Sequence, residues 1–207
     1  MPEQFERRCF DFREHREMAP HVTEGRTVEG YAIVFNQESR VQYDKASRKT
    51  FIEVIEPRAV TDEFLRHQDI KLNFNHNNDY ILGRSFFGDG SLSFEIDEYG
   101  VKFRCELPET NTGNDLLALV KRGDVFGCSF AFTYAADGVV DEKRGGKNYR
   151  TIVKFGGIYD FSIVVDPAYW GTFVTTRAYV EPQEEPDKPT RMLAADELAM
   201  LEINGIL

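Results

Sequence analysis

Most of the chain consists of short runs in which apolar and polar residues alternate, the period-two pattern of half-buried β-strands. Glycine turns such as Gly145-Gly146 separate several runs, and the spacing between residues 70 and 107 predicts an antiparallel meander. Helical spacing occurs at 58–67 and at 110–122, where Gly123 can end the helix. The pattern therefore predicts a mainly β protein of the α+β class. The strand runs lie at 29–35, 51–55, 70–74, 81–84, 91–96, 101–107, 125–134, 149–155 and 158–165.

The same pattern divides the chain into three parts. Residues 1–27 mix acidic and basic side chains without a helical or strand period, which indicates an N-terminal extension. Residues 28–180 hold the strand runs and form the predicted domain. Residues 181–207 begin as a proline-containing acidic linker and end in a short amphipathic helix pattern. Such a helix is marginal alone, so we expect it to dock on the domain or on a partner.

Composition narrows the classes of function. The chain has 207 residues, and its formal charge is 25 − 35 = −10, without a stripe of Lys or Arg, so no nucleic-acid partner is predicted. No apolar run reaches the roughly 18–20 residues of a membrane span, and the N-terminus lacks a signal-peptide core, so we expect a cytoplasmic protein without a membrane partner. Cys9, Cys105 and Cys128 have neither disulfide nor metal-ligand spacing. Reduced thiols, no metal and no cofactor are predicted.

Ser129, His76 and Asp160 are candidates for nucleophilic chemistry. His76 follows the strand run 70–74, and the strand period turns Ser129 away from the apolar face that carries Cys128 and Phe130. An imidazole with a pKa near 6.5 can take the proton of an attacking hydroxyl if a third group orients the ring. The pattern alone leaves these roles open, and by itself it favours a surface histidine, a strand serine and a solvent-facing acid.

Four stretches resemble the caudovirus prohead serine protease family, the head-maturation proteases of tailed phages. They are GYAIVFN at 30–36, LNFNHNNDYILGR at 72–84, LPETNTGNDLLALVKRGDVFGCSFAF at 107–132 and YDFSIVVDPAYWGT at 159–172. By this resemblance, the histidine in the Asn-His turn before Leu-Gly-Arg is the catalytic base, His76. The serine of the Ser-Phe-Xaa-Phe strand is the nucleophile, Ser129. The strand carboxylate before the Val-Xaa-Xaa-Pro-Ala-Tyr-like element is the third residue, Asp160.

The sequence leaves the identity of the third catalytic residue open. The family often has Glu where Asp160 stands, and the related herpesvirus assemblins use a second histidine, but no histidine follows Ser129 in this chain. A carboxylate is therefore expected, and Asp166, Glu53 and Asp79 compete with Asp160 for the role.

The resemblance also implies a fold and a function. The fold is a small antiparallel β-barrel of the assemblin-like type with a few helices packed outside. The function is that of a serine endopeptidase which cleaves phage scaffold and major capsid proteins, and sometimes itself, inside the assembling prohead in the bacterial cytoplasm. A homodimer or higher oligomer is expected. Backbone N–H groups near Gly156-Gly157 or after Pro167 are candidate oxyanion donors, and Arg84 either orients a loop near His76 or forms a surface ion pair.

Two rival functions remain at this point. The fold could serve as a non-catalytic barrel that acts as a capsid-assembly or scaffold-binding module. An esterase-like hydrolase is the other, but the sequence around Ser129 lacks the GxSxG elbow of α/β-hydrolases. A hydroxyl-to-imidazole distance of about 2.6–3.2 Å would favour the catalytic reading.

Overall fold

The computed structural model describes residues 6–12, 15–44 and 47–165. Within these ranges it contains fourteen strands and two α-helices, and a 3-10 turn at Pro57–Ala59 precedes the first helix. The strands are β1 (Glu6–Asp11), β2 (His21–Glu24), β3 (Thr27–Val34), β4 (Gln42–Asp44), β5 (Lys49–Ile55), β6 (Asp69–Phe74), β7 (Asn77–Phe86), β8 (Asp89–Gly90), β9 (Leu92–Ile96), β10 (Gly100–Glu106), β11 (Gly127–Tyr134), β12 (Val139–Arg144), β13 (Lys147–Ile152) and β14 (Phe155–Val164), and the helices are α1 (Asp62–Arg66) and α2 (Asn111–Arg122).

The strands form three sheets. Their orders are β1-β11-β14-β6-β7-β8, β2-β3-β10-β9 and β12-β13-β5-β4. The predicted mainly β class is confirmed. The predicted small antiparallel β-barrel is not found in the part of the chain that the structure describes, because none of these sheets closes on itself and the pairs β14–β6 and β13–β5 are parallel.

The predicted meander over 70–107 is also wrong in its connectivity. β6, β7 and β8 are neighbours in the first sheet, but β9 and β10 join β3 in the second. The chain leaves the first sheet at Gly90, whose φ of +137° is open to glycine and closed to most other residues. An alternating run shows that a segment is a strand but does not identify the sheet to which it belongs.

Aromatic side chains fill the core between the sheets. The rings of Phe130 and Phe132 have centroids 5.0 Å apart, and both pack edge-to-face against Phe155. Cys128 lies on the same side of β11 and belongs to the same core, as the strand period predicted. Each buried phenylalanine contributes about 1.5–3 kcal/mol of transfer free energy, so this face fixes how β11 is oriented. Ser129 is therefore held on the opposite face.

The two helices follow their capping residues. Thr110 accepts a hydrogen bond from the backbone N–H of Gly113 at 3.2 Å, and Gly123 closes α2 with a left-handed φ of +82°. α1 is shorter than the predicted segment 58–67, because Thr61 caps the N–H of Phe64 and the preceding residues form the 3-10 turn. In the described ranges, neither helix has the length and apolarity needed to cross a membrane.

The first 27 residues contain two strands that the sequence pattern did not indicate. β1 pairs with β11 over six residues, and β2 pairs with β3. Charged residues dominate β1 and conceal its alternation, since the buried member of the run is Arg8 rather than an apolar residue. The division into residues 1–27, 28–180 and 181–207 stays a prediction, and the linker and tail lie outside the described residues.

Candidate active site

His76 belongs to a tight turn between β6 and β7. Phe74 pairs with Asn77 across the hairpin, and the two residues between them, Asn75 and His76, have φ values of +53° and +54°. Two consecutive positive φ values define a type I′ turn, whose twist matches that of the flanking strands. Asn and His are among the non-glycine residues that tolerate this conformation. The turn thus fixes the backbone from which the imidazole extends.

Three hydrogen bonds attach this turn to β14 and to Val165, the residue that follows it. The N–H of Asn75 donates to the carbonyl of Ile163 at 3.0 Å, and the N–H of His76 donates to Ser162 Oγ at 2.8 Å. In return, the N–H of Val165 donates to Asn75 Oδ1 at 3.1 Å. β14 therefore holds the turn by both backbone and side-chain contacts.

Ser129 and Asp160 face His76 from neighbouring strands. Ser129 lies in β11 opposite Ser162, and Asp160 lies in β14 opposite Ala131. Since Asp160 and Ser162 are two residues apart on one strand, both point to the face that carries Ser129. His76 Nε2 lies 2.5 Å from Ser129 Oγ, and His76 Nδ1 lies 2.7 Å from Asp160 Oδ1. The structure thus brings all three predicted residues together in one hydrogen-bonded line.

The surroundings of His76 determine its protonation. Burial lowers the pKa of His76, but hydrogen bonds to Asp160 and to the Cys9 side chain, with the charge of Asp160, outweigh it. The pKa of His76 therefore lies above its ordinary value of about 6.5. Arg7, on the outer strand β1, opposes the rise by its positive charge. The imidazole is consequently a stronger base than a free histidine, and Asp160 stabilises its charged form.

The competing acids have other surroundings. Glu53 is buried and binds Arg8 and Tyr134. Asp79 is exposed on β7, and Asp166 lies outside the described residues. Of the candidates that the structure describes, Asp160 is the one hydrogen-bonded to His76. Within residues 6–12, 15–44 and 47–165, no group of three or more His, Cys, Asp or Glu side chains is arranged to hold a metal ion.

The structure also gives the positions of Arg84 and of the candidate oxyanion donors at Gly156-Gly157. Arg84 forms a bidentate ion pair with Asp69, with both N···O distances at 2.6 Å, which agrees with the predicted surface ion pair. Gly157 pairs with Thr133, four residues along β11 from Ser129. At about 3.3 Å per residue, that places Gly157 roughly 13 Å from Ser129, so the expectation of oxyanion donors at Gly156-Gly157 is wrong. The alternative after Pro167 lies outside the described residues.

Sequence reasoning missed two residues of the site, Ser162 and Cys9. Ser162 binds the N–H of His76, and its hydrogen is within reach of the carbonyl oxygens of Asn73 and Ile163, at 3.3 and 3.4 Å. A signal existed for Ser162, because a strand residue two positions after Asp160 must share its face. Cys9 lies opposite Ser129 on β1, and no sequence signal identifies that pairing. The structure describes all three cysteines, and none is in a disulfide.

A hydroxyl, an imidazole and a carboxylate joined in this order are the arrangement of serine hydrolases of the Ser-His-Asp type, here on a mainly β fold. The family model described as caudovirus prohead serine protease matches residues 13–185. The chain therefore belongs to the caudovirus prohead serine protease family, which confirms the resemblance and makes it a serine protease at the level of the family. Comparison with curated proteins and with solved structures gives no match.

Proposed function

We propose that this protein is a serine endopeptidase that cleaves phage scaffold and major capsid proteins during prohead maturation. Ser129 is the nucleophile, His76 the general base and acid, and Asp160 the residue that orients the ring. The line from Ser129 Oγ through both ring nitrogens to Asp160, with distances of 2.5 and 2.7 Å, carries this proposal. The substrates and the place of action, inside the assembling prohead in the host cytoplasm, follow from the family.

Acyl transfer accounts for each group. Ser129 Oγ attacks the substrate carbonyl carbon while His76 Nε2 takes the hydroxyl proton, and the tetrahedral intermediate collapses when His76 returns that proton to the leaving amine. Water then repeats the sequence on the acyl-enzyme, which releases the acid and restores Ser129. General-base help of this kind contributes about 10²–10⁴ in rate. Asp160 stabilises the imidazolium in both halves and keeps a proton on Nδ1, so that Nε2 can accept.

The rival reading is a non-catalytic module for capsid assembly or scaffold binding. Such a module would be consistent with the family, but it gives no reason for a buried hydroxyl, imidazole and carboxylate in contact. Ser129 is 0% exposed, and for a purely structural role apolar side chains of the same shape would be about as stable as this hydrogen-bonded set. The geometry therefore favours chemistry over a purely structural role.

Co-expression with the cognate scaffold and capsid proteins tests the proposal. The wild type should cut them, and Ser129→Ala should leave them uncut while its melting curve remains that of a folded protein. Ser93→Ala, an exposed serine on β9 in the second sheet, is the matched control and should cut normally. Undiminished cutting by Ser129→Ala would remove Ser129 from the mechanism and favour the assembly module. Self-cleavage and a homodimer remain predictions, which mass spectrometry and sedimentation of the same samples would measure.

A further inference from the structure

The strand that carries the nucleophile has an unusual outer neighbour. β11 has β14 on one side and β1 on the other, and β1 is the edge strand of the first sheet. In this register Cys9 lies directly opposite Ser129, and the Cys9 side chain is hydrogen-bonded to His76. The family match begins at residue 13, after β1 has ended. The strand next to the nucleophile is therefore outside the part of the chain that the family model matches.

One side chain of β1 fits into a buried acidic pocket. Arg8 is 5% exposed, and its guanidinium binds both carboxylate oxygens of Glu53, with Nη2 3.0 Å from Oε2. Tyr134 completes the pocket, because its hydroxyl lies 2.7 Å from Arg8 Nη2 and 2.7 Å from Glu53 Oε2. The guanidinium carbon also lies 5.3 Å from the centre of the Phe132 ring. A carboxylate that accepts two hydrogen bonds from one guanidinium, with an aromatic ring packed against that guanidinium, is an arrangement specific for arginine.

This arrangement has the two parts of strand-addition recognition. An extended peptide that joins a sheet edge gains affinity from backbone hydrogen bonds and specificity from pockets that receive alternate side chains. β1 supplies six paired residues along β11, and Arg8 fills the pocket while its neighbour Arg7 is exposed. Paired strands lie about 4.8 Å apart, so the backbone of a segment in this place runs beside Ser129. Ser129 itself is 0% exposed, so a substrate cannot reach Oγ until a covering segment moves.

We propose that the outer edge of β11 is the docking site for an extended peptide with an arginine at the position of Arg8, and that residues 6–11 occupy this site in the resting protein. As a substrate site it rests on the proposed function, whereas the binding of a strand there does not. Substrate entry then requires that β1 leave, and Glu53 selects the arginine of the incoming segment.

The first test measures access to Ser129 with a fluorophosphonate probe, in the full-length chain. Arg8→Met and the charge-neutral double variant Arg8→Met/Glu53→Gln should be labelled at least about tenfold faster than wild type, because each weakens the resident strand. The double variant leaves no unpaired buried charge and so guards against unfolding. Arg104→Met is the matched control, since it breaks an arginine pair with Glu29 in another sheet, and its labelling rate should not change. If the probe labels the wild type, labelling of both Arg8 variants at or below the wild-type rate, with intact melting curves, would overturn the proposal.

The second test measures strand binding without chemistry. A fluorescent peptide of residues 4–12 with Cys9→Ser is titrated into the full-length Ser129→Ala/Arg8→Met protein and followed by anisotropy. The peptide should bind, its Arg7→Ala version should bind equally, and its Arg8→Ala version should bind at least about tenfold more weakly. Equal binding of the two alanine peptides, or no binding up to about 1 mM, contradicts the docking site.

The two tests separate this proposal from the proposed function. If the probe labels no variant but the peptides bind with the expected preference, the protease assignment fails and the docking site stands. If the probe labels Ser129 equally in all variants and the peptides do not bind, the protease assignment stands. In that case β1 is only a structural edge strand of the sheet.

Discussion

Replacing Asp160 with asparagine keeps the size of the side chain but removes the charge that faces His76. In the wild type, burial lowers the pKa of His76, and the Asp160 contacts outweigh burial and raise it. Asp160→Asn removes those contacts, so the pKa of His76 should fall. An asparagine amide that donates to Nδ1 also favours a proton on Nε2, the nitrogen that must accept from Ser129.

When the labelling rate of Ser129 is plotted against pH, we expect both the plateau and the midpoint of the curve to change. Neutral His76 is the active form, so the labelling rate of Ser129 by a fluorophosphonate should rise with pH through the raised pKa of the wild type. In Asp160→Asn the plateau should fall by about 10³–10⁴, or roughly 4–5.5 kcal/mol in barrier, and the rise should move to lower pH. A variant whose plateau and midpoint both match the wild type would refute the role of Asp160.

The pH dependence of stability tests the contact between His76 and Asp160 independently. Because the folded-state pKa of His76 is raised, its protonation stabilises the fold below the unfolded pKa of about 6.5, and this contribution is lost as pH rises through the folded pKa. The melting temperatures of wild type and Asp160→Asn should therefore differ most at about pH 5–6. A difference that grows toward alkaline pH would contradict the assignment of the raised pKa to Asp160.

Three further predictions concern the surroundings of the site. Ser162→Ala removes the acceptor of the His76 N–H, so labelling should fall by about 10–100-fold for a loss of only about 1–2 kcal/mol in urea melts, with partial rescue by Ser162→Thr. Gly100→Ala should lower the free energy of unfolding by about 1–3 kcal/mol in the same melts, because its Cβ would lie 1.9 Å from the carbonyl oxygen of Ile33. Burial raises the pKa of Cys105 to about 11, so iodoacetamide should modify this thiol at pH 8 only after unfolding, as mass spectrometry of native and denatured samples would measure.

Local features of the fold were predictable because local chemistry decides them. The bounds of α2 were predicted within one residue, since a capping threonine and a left-handed glycine mark its ends. The orientation of β11 was predictable because alternation assigns Phe130 to the core and Ser129 to the other face. The positions of Ser129, His76 and Asp160 came from the family resemblance, and the pattern alone would not have selected them.

Strand partners were not predictable, because alternation records which face is buried and not which strand lies beside it. The parallel pairing of β14 with β6 was missed for this reason, and so was the pairing of β1 with β11. In β1 the expected hydrophobic pattern was also reversed, since its buried side chain is a charged arginine. This arginine pairs with Glu53, 45 residues away in the sequence. Hydrophobic periodicity does not reveal a buried ion pair between residues so far apart in the sequence.

The geometry of the site depends on the register of one strand. β14 pairs with β11 at Ser162–Ser129 and with β6 at Ser162–Asn73, so it sets the position of the nucleophile strand and of the turn that carries His76. A slip of β14 by one residue would exchange its faces and bring Phe161, now fully buried, to the position of Asp160. The free energy that buries Phe161 in the core therefore also holds the carboxylate against the imidazole. Substitutions that loosen this core face should lower activity before they unfold the protein, because the three groups tolerate displacements of only about 1 Å.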